Sequence, residues 1–185
     1  MRLFFPDLDT LHRFTLELDQ HQETLTCHQC ARCGQLVSHG FVYRKQRNSD
    51  KQPVAKRIFC SNRHGKTGCG RTRQLYLDHL IPRLSHTAAH LFVFLSALIA
   101  GFSISSAYCK ATHTPEPRNA YRWLQRAMRH LTRYRSLLKR PDDAALFVQR
   151  SRLLQLLLPT FNQLFSQPAF SHCQQVQAVL QQPFL

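Results

Sequence analysis

Two short stretches decide the fold: Cys30-Ala-Arg-Cys33-Gly34 and Cys60-Ser-Asn-Arg-His-Gly-Lys-Thr-Gly-Cys69-Gly70. Each stretch ends in Cys-Gly, and glycine readily adopts the left-handed backbone that lets amide groups point at a cysteine sulfur. Zinc is commonly held by four thiolates in a tetrahedron, and two cysteine-bearing turns supply them without a large core. The pattern therefore predicts a zinc site with the ligands Cys30, Cys33, Cys60 and Cys69.

The first cysteine pair is ambiguous, because Cys27-His-Gln-Cys30 has the same spacing as Cys30-Ala-Arg-Cys33. We favour the later pair because a glycine follows it, and the role of Cys27 stays open. His28 and His64 lie close enough in the sequence to substitute for a cysteine ligand. Seven cysteines, an odd number, fit metal-bound thiolates in a reducing compartment better than a set of disulfides.

The second pair is unusual, because eight residues separate Cys60 from Cys69, whereas two to four are typical of structural zinc sites. The gap requires a loop that leaves the site and returns to it. Gly65 and Gly68 make such a loop feasible.

The segment between the two pairs has the composition of short, half-exposed strands. Tyr43, Val54, Ile58 and Phe59 occur among charged residues, and the polar residues 46–53 form a turn. Residues 71–77 give a third strand. The order of turn, strand, turn, strand and turn predicts a zinc ribbon over residues 27–78, preceded by a lead-in at 1–26.

Charge is distributed very unevenly along the 185 residues, whose formal net charge is +15. Residues 27–78 carry eleven basic and two acidic side chains, and residues 79–140 carry ten and one. Residues 1–26 are net acidic and residues 141–185 are neutral. A field of this sign attracts polyanions, chiefly nucleic acid.

Three helices are predicted after the ribbon. Ser85 or Thr87 can cap the first, which ends at Gly101, and Ser103 caps a shorter second helix. The third begins near residues 115–117, where proline fits the first turn, and runs to about residue 138. This order is the pattern of a helix-turn-helix over residues 79–140. The expected class is therefore α+β, with a small ribbon followed by a mainly helical region.

The third helix has an apolar side and a basic side. Ala120, Trp123, Leu124, Ala127 and Leu131 recur at helical spacing, and we expect Trp123 to pack in the core. The opposite side is rich in arginine, with few acidic partners nearby, and arginine suits phosphate and guanine contacts. The predicted DNA-binding residues on this helix are Arg118, Tyr121, Arg122, Gln125, Arg126 and Arg129, and those on the ribbon are Arg44, Lys45, Arg57, Arg63 and Arg71.

Several of these motifs resemble one family of modules. Four stretches are similar to the zinc ribbon plus helix-turn-helix of bacterial insertion elements. They are the Cys30-x-x-Cys33-Gly34 pair and the runs from Phe59 to Arg63, from Gly68 to Thr72 and from Ala120 to Leu124. Such modules begin transposases, or form small proteins that bind element ends and repress or assist transposition. The resemblance covers about residues 27–135. It implies zinc as the cofactor, double-stranded DNA and a transposase as partners, and a cytoplasmic, nucleoid-associated location. It also implies that Asn119, with Arg118, Arg122 and Gln125, lies on the groove-facing side of the recognition helix.

The neutral tail, residues 141–185, has no counterpart in these modules. A homodimerisation element through residues 144–185 is one interpretation, because DNA sites with two-fold symmetry are bound by protein dimers. Packing against the chain's own helices is the alternative. The sequence predicts an apolar helix in the tail that stops at Pro159.

An enzymatic function is not expected. Only Asp50, Asp78 and Glu116 lie between Glu23 and Asp142, and these acidic residues make a poor set of ligands for catalytic metal ions. No apolar run reaches the roughly 20 residues of a membrane span, and no secretory signal begins the sequence. The alternatives to a DNA-binding protein are an RNA-binding or ribosome-associated zinc ribbon, and a protein-interaction adaptor tethered to nucleic acid.

Overall fold

The computed structural model describes residues 3–20, 25–32, 34–44, 51–84, 86–137 and 152–185. The chain divides into two units, Met1–Asp78 and His79–Leu185. The described residues of the first unit form a four-stranded sheet and one α-helix, and those of the second form helices. This mixture agrees with the expected α+β class.

The sheet of the first unit has the strand order β1-β4-β3-β2. The strands are β1 (Phe4–Phe5), β2 (Leu36–Arg44), β3 (Gln52–Cys60) and β4 (Thr72–Leu77). β2, β3 and β4 pair antiparallel in sequence order, whereas β1 pairs parallel to β4. The predicted third strand is thus confirmed as β4.

One helix, α1 (Leu8–Leu16), packs against the sheet and is followed by a short 3-10 turn at Glu17–Asp19. Asp7 begins α1, because its carboxylate accepts a hydrogen bond of 2.7 Å from the Thr10 amide. Leu11 is completely buried, and the His12 ring lies 5.8 Å from that of Phe41. The segment expected as a lead-in therefore contributes a helix and a strand to the first unit.

The second unit begins with three helices: α2 (Ala88–Ile99), α3 (Ile104–Thr112) and α4 (Pro117–Leu137). Thr87 caps α2 and Ser103 caps α3, each accepting a hydrogen bond from an amide three residues on. Gly101 has a φ of 98° in the turn between them, a conformation that favours glycine. Both caps follow the sequence-based expectation.

The core of this unit is built around Trp123 of α4, which is 2% exposed. The centre of its ring lies 5.3 Å from that of Phe94 on α2 and 5.1 Å from that of Tyr108 on α3, and both pairs pack edge to face. Aromatic pairs in this geometry add about 0.5–1.5 kcal/mol each beyond the area they bury. The prediction that Trp123 packs in the core is confirmed.

The tail forms α5 (Arg152–Ser166), a 3-10 turn (Pro168–Phe170) and α6 (Cys173–Leu180). α5 packs against α4 and α2, and α6 packs against α2. The buried Gln177 side chain donates to the Leu80 carbonyl and accepts from the Phe184 amide, both at 3.0 Å. The described part of the tail is thus integrated into the helical core of its own unit.

The expectation that Pro159 stops the tail helix is wrong, because α5 continues through it. Proline inside a helix removes one hydrogen bond and costs about 3 kcal/mol. Buried leucines and phenylalanines precede and follow it, among them Leu157, Phe161 and Leu164. Burial of a large apolar side chain is worth about 1.5–3 kcal/mol, so a few of them outweigh the loss at one proline.

Candidate metal centre and nucleic-acid interface

Four cysteine sulfurs converge in the first unit, beside the end of β3. The Sγ atoms of Cys27, Cys30, Cys60 and Cys69 all lie within 4.8 Å of one another. The Cys27–Cys69 separation is 3.7 Å and the Cys30–Cys60 separation is 3.8 Å. A tetrahedral ion with sulfur bonds of about 2.3 Å places its ligands about 3.8 Å apart. The four sulfurs therefore fit one tetrahedral metal ion.

The first two ligands come from a tight turn at residues 27–31. The Ala31 amide donates to the Cys27 carbonyl at 2.7 Å, and the Gln29 and Cys30 amides donate to the Cys27 sulfur. Ala31 has a φ of 54°. This left-handed conformation costs a residue with a Cβ roughly 1–2 kcal/mol, so Ala31 occupies a position that glycine would fill without strain.

The other two ligands come from a second turn, in which the Cys69 amide donates to the Cys60 sulfur at 3.3 Å. Gly70 has a φ of 72°, which is the left-handed conformation expected of it. Its amide donates to the Cys60 carbonyl at 2.9 Å, and the Gly68 amide donates to the Ser61 carbonyl at 2.7 Å. These bonds bring Cys69 back beside Cys60 despite the eight intervening residues.

The intervening loop is fastened to the segment that follows the first turn. The Thr67 amide donates to the Gln35 side chain at 2.8 Å, and the Lys66 ammonium donates to the Gly34 carbonyl at 2.8 Å. The Arg32 guanidinium donates to the Thr67 carbonyl. The loop therefore has a fixed conformation, which explains how an unusually long spacing still closes a four-sulfur site.

Three of the four predicted ligands, Cys30, Cys60 and Cys69, belong to this cluster. The fourth sulfur in the cluster is that of Cys27, and the predicted ligand Cys33 lies outside the described residues. The Cys27-x-x-Cys30 spacing was the available signal for Cys27. The glycine after Cys33 favours the later pair in the sequence, whereas in the structure Ala31 follows Cys30 and adopts the left-handed conformation.

The environment separates the pKa values of two of the thiols. Burial raises the pKa of Cys60 to about 12. A hydrogen bond from the Cys69 amide opposes this rise in pKa. The neighbouring thiols of Cys27, Cys30 and Cys69 add to it. Burial also acts on Cys27, but the amides of Gln29 and Cys30 and the thiols of Cys69 and Cys60 outweigh it and lower its pKa to about 6. At neutral pH Cys27 is thus a thiolate, whereas Cys60 keeps its proton until a cation displaces it.

The predicted two-sided character of α4 is confirmed. The apolar residues from Ala120 to Leu131 on its inner side are buried, and Tyr134 continues that side. Arg133 is half-buried, and its guanidinium donates to the Pro183 carbonyl at 3.2 Å. On the outer side, Arg118, Tyr121, Arg122, Gln125 and Arg129 are exposed, and Asn119 and Arg126 are half-buried.

The first turn of α4 carries a chain of hydrogen bonds on its surface. The Asn119 amide group donates to the Glu116 carboxylate at 2.6 Å, and Arg122 donates to the Asn119 oxygen at 3.4 Å. These three side chains, with Arg118 and Pro115, line a shallow surface groove. The sequence analysis did not anticipate that Glu116 would join this group.

The predicted DNA-binding residues of the ribbon differ in accessibility. Arg57 on β3, Arg63 in the long loop and Arg71 before β4 are exposed. Arg44 at the end of β2 is half-buried, and burial lowers the pKa of its guanidinium. Lys45 lies outside the described residues. Arg57, Arg63 and Arg71 are therefore the better placed for contact with a polyanion.

No protein family, curated protein or solved structure matches this chain. Among the described residues, no helix is both long enough and apolar enough to cross a membrane. The site must therefore be interpreted from its own geometry and chemistry.

Replacement of Cys27 should remove one metal ligand. We expect Cys27→Ser to weaken metal binding more than ~100-fold, beyond the 10–100-fold loss seen when only a residue supporting a ligand is changed. Cys33→Ser is the matched control and should retain four-thiolate binding. Titration with Co²⁺ measures both, because thiolate-to-cobalt absorption reports the number of bound sulfurs. Loss of four-sulfur binding in Cys33→Ser but not in Cys27→Ser would contradict this ligand set.

Gly68 should be intolerant of any side chain. A Cβ there would overlap the Ser61 carbonyl oxygen and lie 2.7 Å from the Cys60 sulfur. We expect Gly68→Ala to lower the free energy of unfolding of the metal-loaded protein by about 1–3 kcal/mol, as overpacking does. In the same loop, a Cβ at Gly65 meets open space. Gly65→Asn, which tolerates the left-handed backbone, should therefore change stability much less in the same denaturant titration, and equal losses would argue against the steric explanation.

Proposed function

We propose that this chain is a zinc-dependent, sequence-specific DNA-binding protein of a bacterial mobile element, which represses or assists transposition without catalysing it. The observation that carries this proposal is the outer side of α4, where exposed arginines lie opposite a fully packed apolar side. The association with mobile elements rests on the resemblance of the cysteine and α4 motifs to insertion-element modules.

Zinc is the metal we assign to the four-sulfur site. Four cysteine ligands in two turns are the usual environment of structural zinc, and the sulfur separations of 3.7 and 3.8 Å suit its bond length. Zinc would join segments that are distant in the sequence and would hold the long loop in register with the first turn. In this role the ion stabilises the fold and supplies no reaction chemistry.

The helices α2, α3 and α4 would act as a helix-turn-helix, with α4 lying in the major groove. Arginine pairs well with guanine and asparagine with adenine, so Arg122 and Asn119 are our candidates for base contacts. The hydrogen bonds from Arg122 to Asn119 and from Asn119 to Glu116 would hold these side chains in defined orientations before DNA binds. Defined orientations reduce the entropy lost on binding.

The charge of the remaining surface would supply phosphate contacts. Partial burial, and to a smaller extent the positive charges of Arg133 and Arg129, lower the pKa of His130 on α4. Arg57, Arg63 and Arg71 of the first unit are exposed cations of the same kind. Contacts to phosphates set position and affinity, whereas base contacts on α4 would set specificity.

Arg122→Ala tests whether α4 reads sequence. The probe is a duplex selected by the full-length protein from a randomised library, with a scrambled duplex beside it. We expect a loss of about 1–3 kcal/mol on the selected duplex and a smaller loss on the scrambled one. Arg13→Ala is a charge-matched control, because Arg13 is exposed on α1 of the first unit.

Two outcomes of this experiment would count against the proposal. Equal losses on both duplexes would restrict Arg122 to a phosphate contact. Failure to enrich any duplex, with structured RNA bound instead, would favour an RNA-binding function.

Zinc affinity should increase with pH across the neutral range. The pKa of Cys60 is raised to about 12, so its proton must leave when zinc binds at pH 7, whereas Cys27, with a pKa of about 6, is already deprotonated. Each proton released on zinc binding makes the apparent affinity rise about tenfold per pH unit, so the proton of Cys60 alone sets a slope of at least tenfold, and the dependence should steepen below pH 6 as Cys27 also becomes protonated. Competition with a chelator at pH 6.5 and 7.5 measures this. Cys109→Ser, at an exposed cysteine outside the cluster, should show the same slope, and an affinity independent of pH would contradict the assigned protonation states.

A further inference from the structure

The first unit has a second feature that the duplex-reading role of α4 does not use: a groove of about 330 Å³ on one face of its sheet. Val37, Phe59 and Thr72 are direct neighbours across β2, β3 and β4, so their side chains share this face. The side chains of β3 that alternate with Phe59 point to the opposite face of the sheet. There the Lys56 Nζ atom lies 3.0 Å from the Nδ1 atom of His12 on α1. The groove therefore lies on the face of the sheet away from α1.

The floor of the groove is aromatic and partly open. Phe59 and Val37 are half-buried, and the exposed His39 ring lies 5.9 Å from the Phe59 ring at 41°. A phenylalanine that remains partly exposed in the middle of three paired strands presents a flat apolar surface. Such surfaces are used for base stacking, because every nucleobase has a π-face.

The rim of the groove is cationic. Arg63 and His64 line it from the long loop, and Arg57, also exposed, lies two residues before Phe59 on the same face. The described residues that line the groove include no acidic side chain. Phosphate groups attached to a base in the groove would thus meet positive charge and no opposing carboxylate.

The rim has a fixed position, because the loop that carries Arg63 is held on both sides. The Arg63 amide donates to the Ser61 hydroxyl at 3.2 Å, and the next turn of the loop is tied to Gln35 and Gly34. The loop also lies between the ligands Cys60 and Cys69. A metal ion in the four-sulfur site would therefore orient the rim of the groove as well.

We propose that this groove binds an unpaired nucleotide of a single-stranded nucleic acid, with the base stacked on Phe59 and the adjoining phosphates near Arg63 and Arg57. An acidic peptide would satisfy the cations but would leave the aromatic floor without a planar partner. The site is separate from α4, so it does not rest on the duplex-reading role proposed above. A protein with both sites could bind a duplex and an unpaired strand.

The test uses the full-length, zinc-loaded protein and fluorescent dT10 and rU10 oligonucleotides at low salt. Phe59→Leu keeps an apolar side chain but removes the stacking ring, and it should weaken binding about 5- to 100-fold, the loss typical of one stacked base. Tyr43→Leu removes an exposed aromatic ring from β2, outside the groove, and should have little effect. The oligonucleotide that shows the larger Phe59 effect identifies DNA or RNA as the source of the unpaired base.

Arg63→Gln provides a second measurement that does not alter the sheet. Loss of one phosphate contact should reduce the slope of log affinity against log salt by about 0.7 for a single strand. Cobalt absorption and thermal unfolding establish that each variant retains the four-sulfur site. Arg122→Ala should leave dT10 binding within about twofold of the Arg13→Ala control, so a failure of the α4 proposal is recognised separately.

Three results would overturn the groove proposal. The first is that neither oligonucleotide binds the unaltered protein. The second is that Phe59→Leu, still folded and metal-bound, binds within twofold of the unaltered protein. The third is that a polyglutamate peptide binds as tightly as dT10 and loses as much affinity in Phe59→Leu, which would show a general anion site.

Discussion

The convergence of four sulfur atoms is the constraint on which the first unit depends. Cys27 and Cys30 precede β2, Cys60 ends β3, and Cys69 lies just before β4. Units of this size bury a modest core and are commonly stabilised by a metal or by disulfides. A structural zinc ion contributes an apparent 10–16 kcal/mol in small domains, roughly the whole stability of an ordinary protein. Metal binding would thus be a condition of folding for this unit rather than an addition to it.

The sequence predicted the parts of the structure that local chemistry determines. The caps Thr87 and Ser103, the strand β4 and the two sides of α4 all follow from residue type and spacing. Such features depend on neighbours within a few residues, so their signal is present in a single sequence.

The features that the sequence did not predict arise from tertiary contacts that override a local preference. The cluster contains Cys27, whose role the sequence left open, and Ala31 in the same turn adopts the left-handed conformation that glycine would prefer. The energy of a four-ligand metal site far exceeds the cost of about 1–2 kcal/mol for one such residue. The same comparison applies at Pro159, where burial on both sides of the proline outweighs one missing hydrogen bond. In both places a strong distant interaction decides against a weaker local one.

The tail also changes which arginines of α4 can face a ligand. By spacing alone, Arg133 continues the basic side that contains Arg118, Arg122 and Arg129. In the structure its guanidinium instead binds the Pro183 carbonyl, and Tyr134 beside it stacks on Phe184 at 5.0 Å. The tail therefore engages α4 at Arg133 and Tyr134, and the N-terminal end of the helix carries the organised group of Glu116, Asn119 and Arg122. In the function proposed above, the N-terminal end of α4 would make the base contacts, as it does in recognition helices. In that function the tail would hold the far end of the helix through Arg133 and Tyr134.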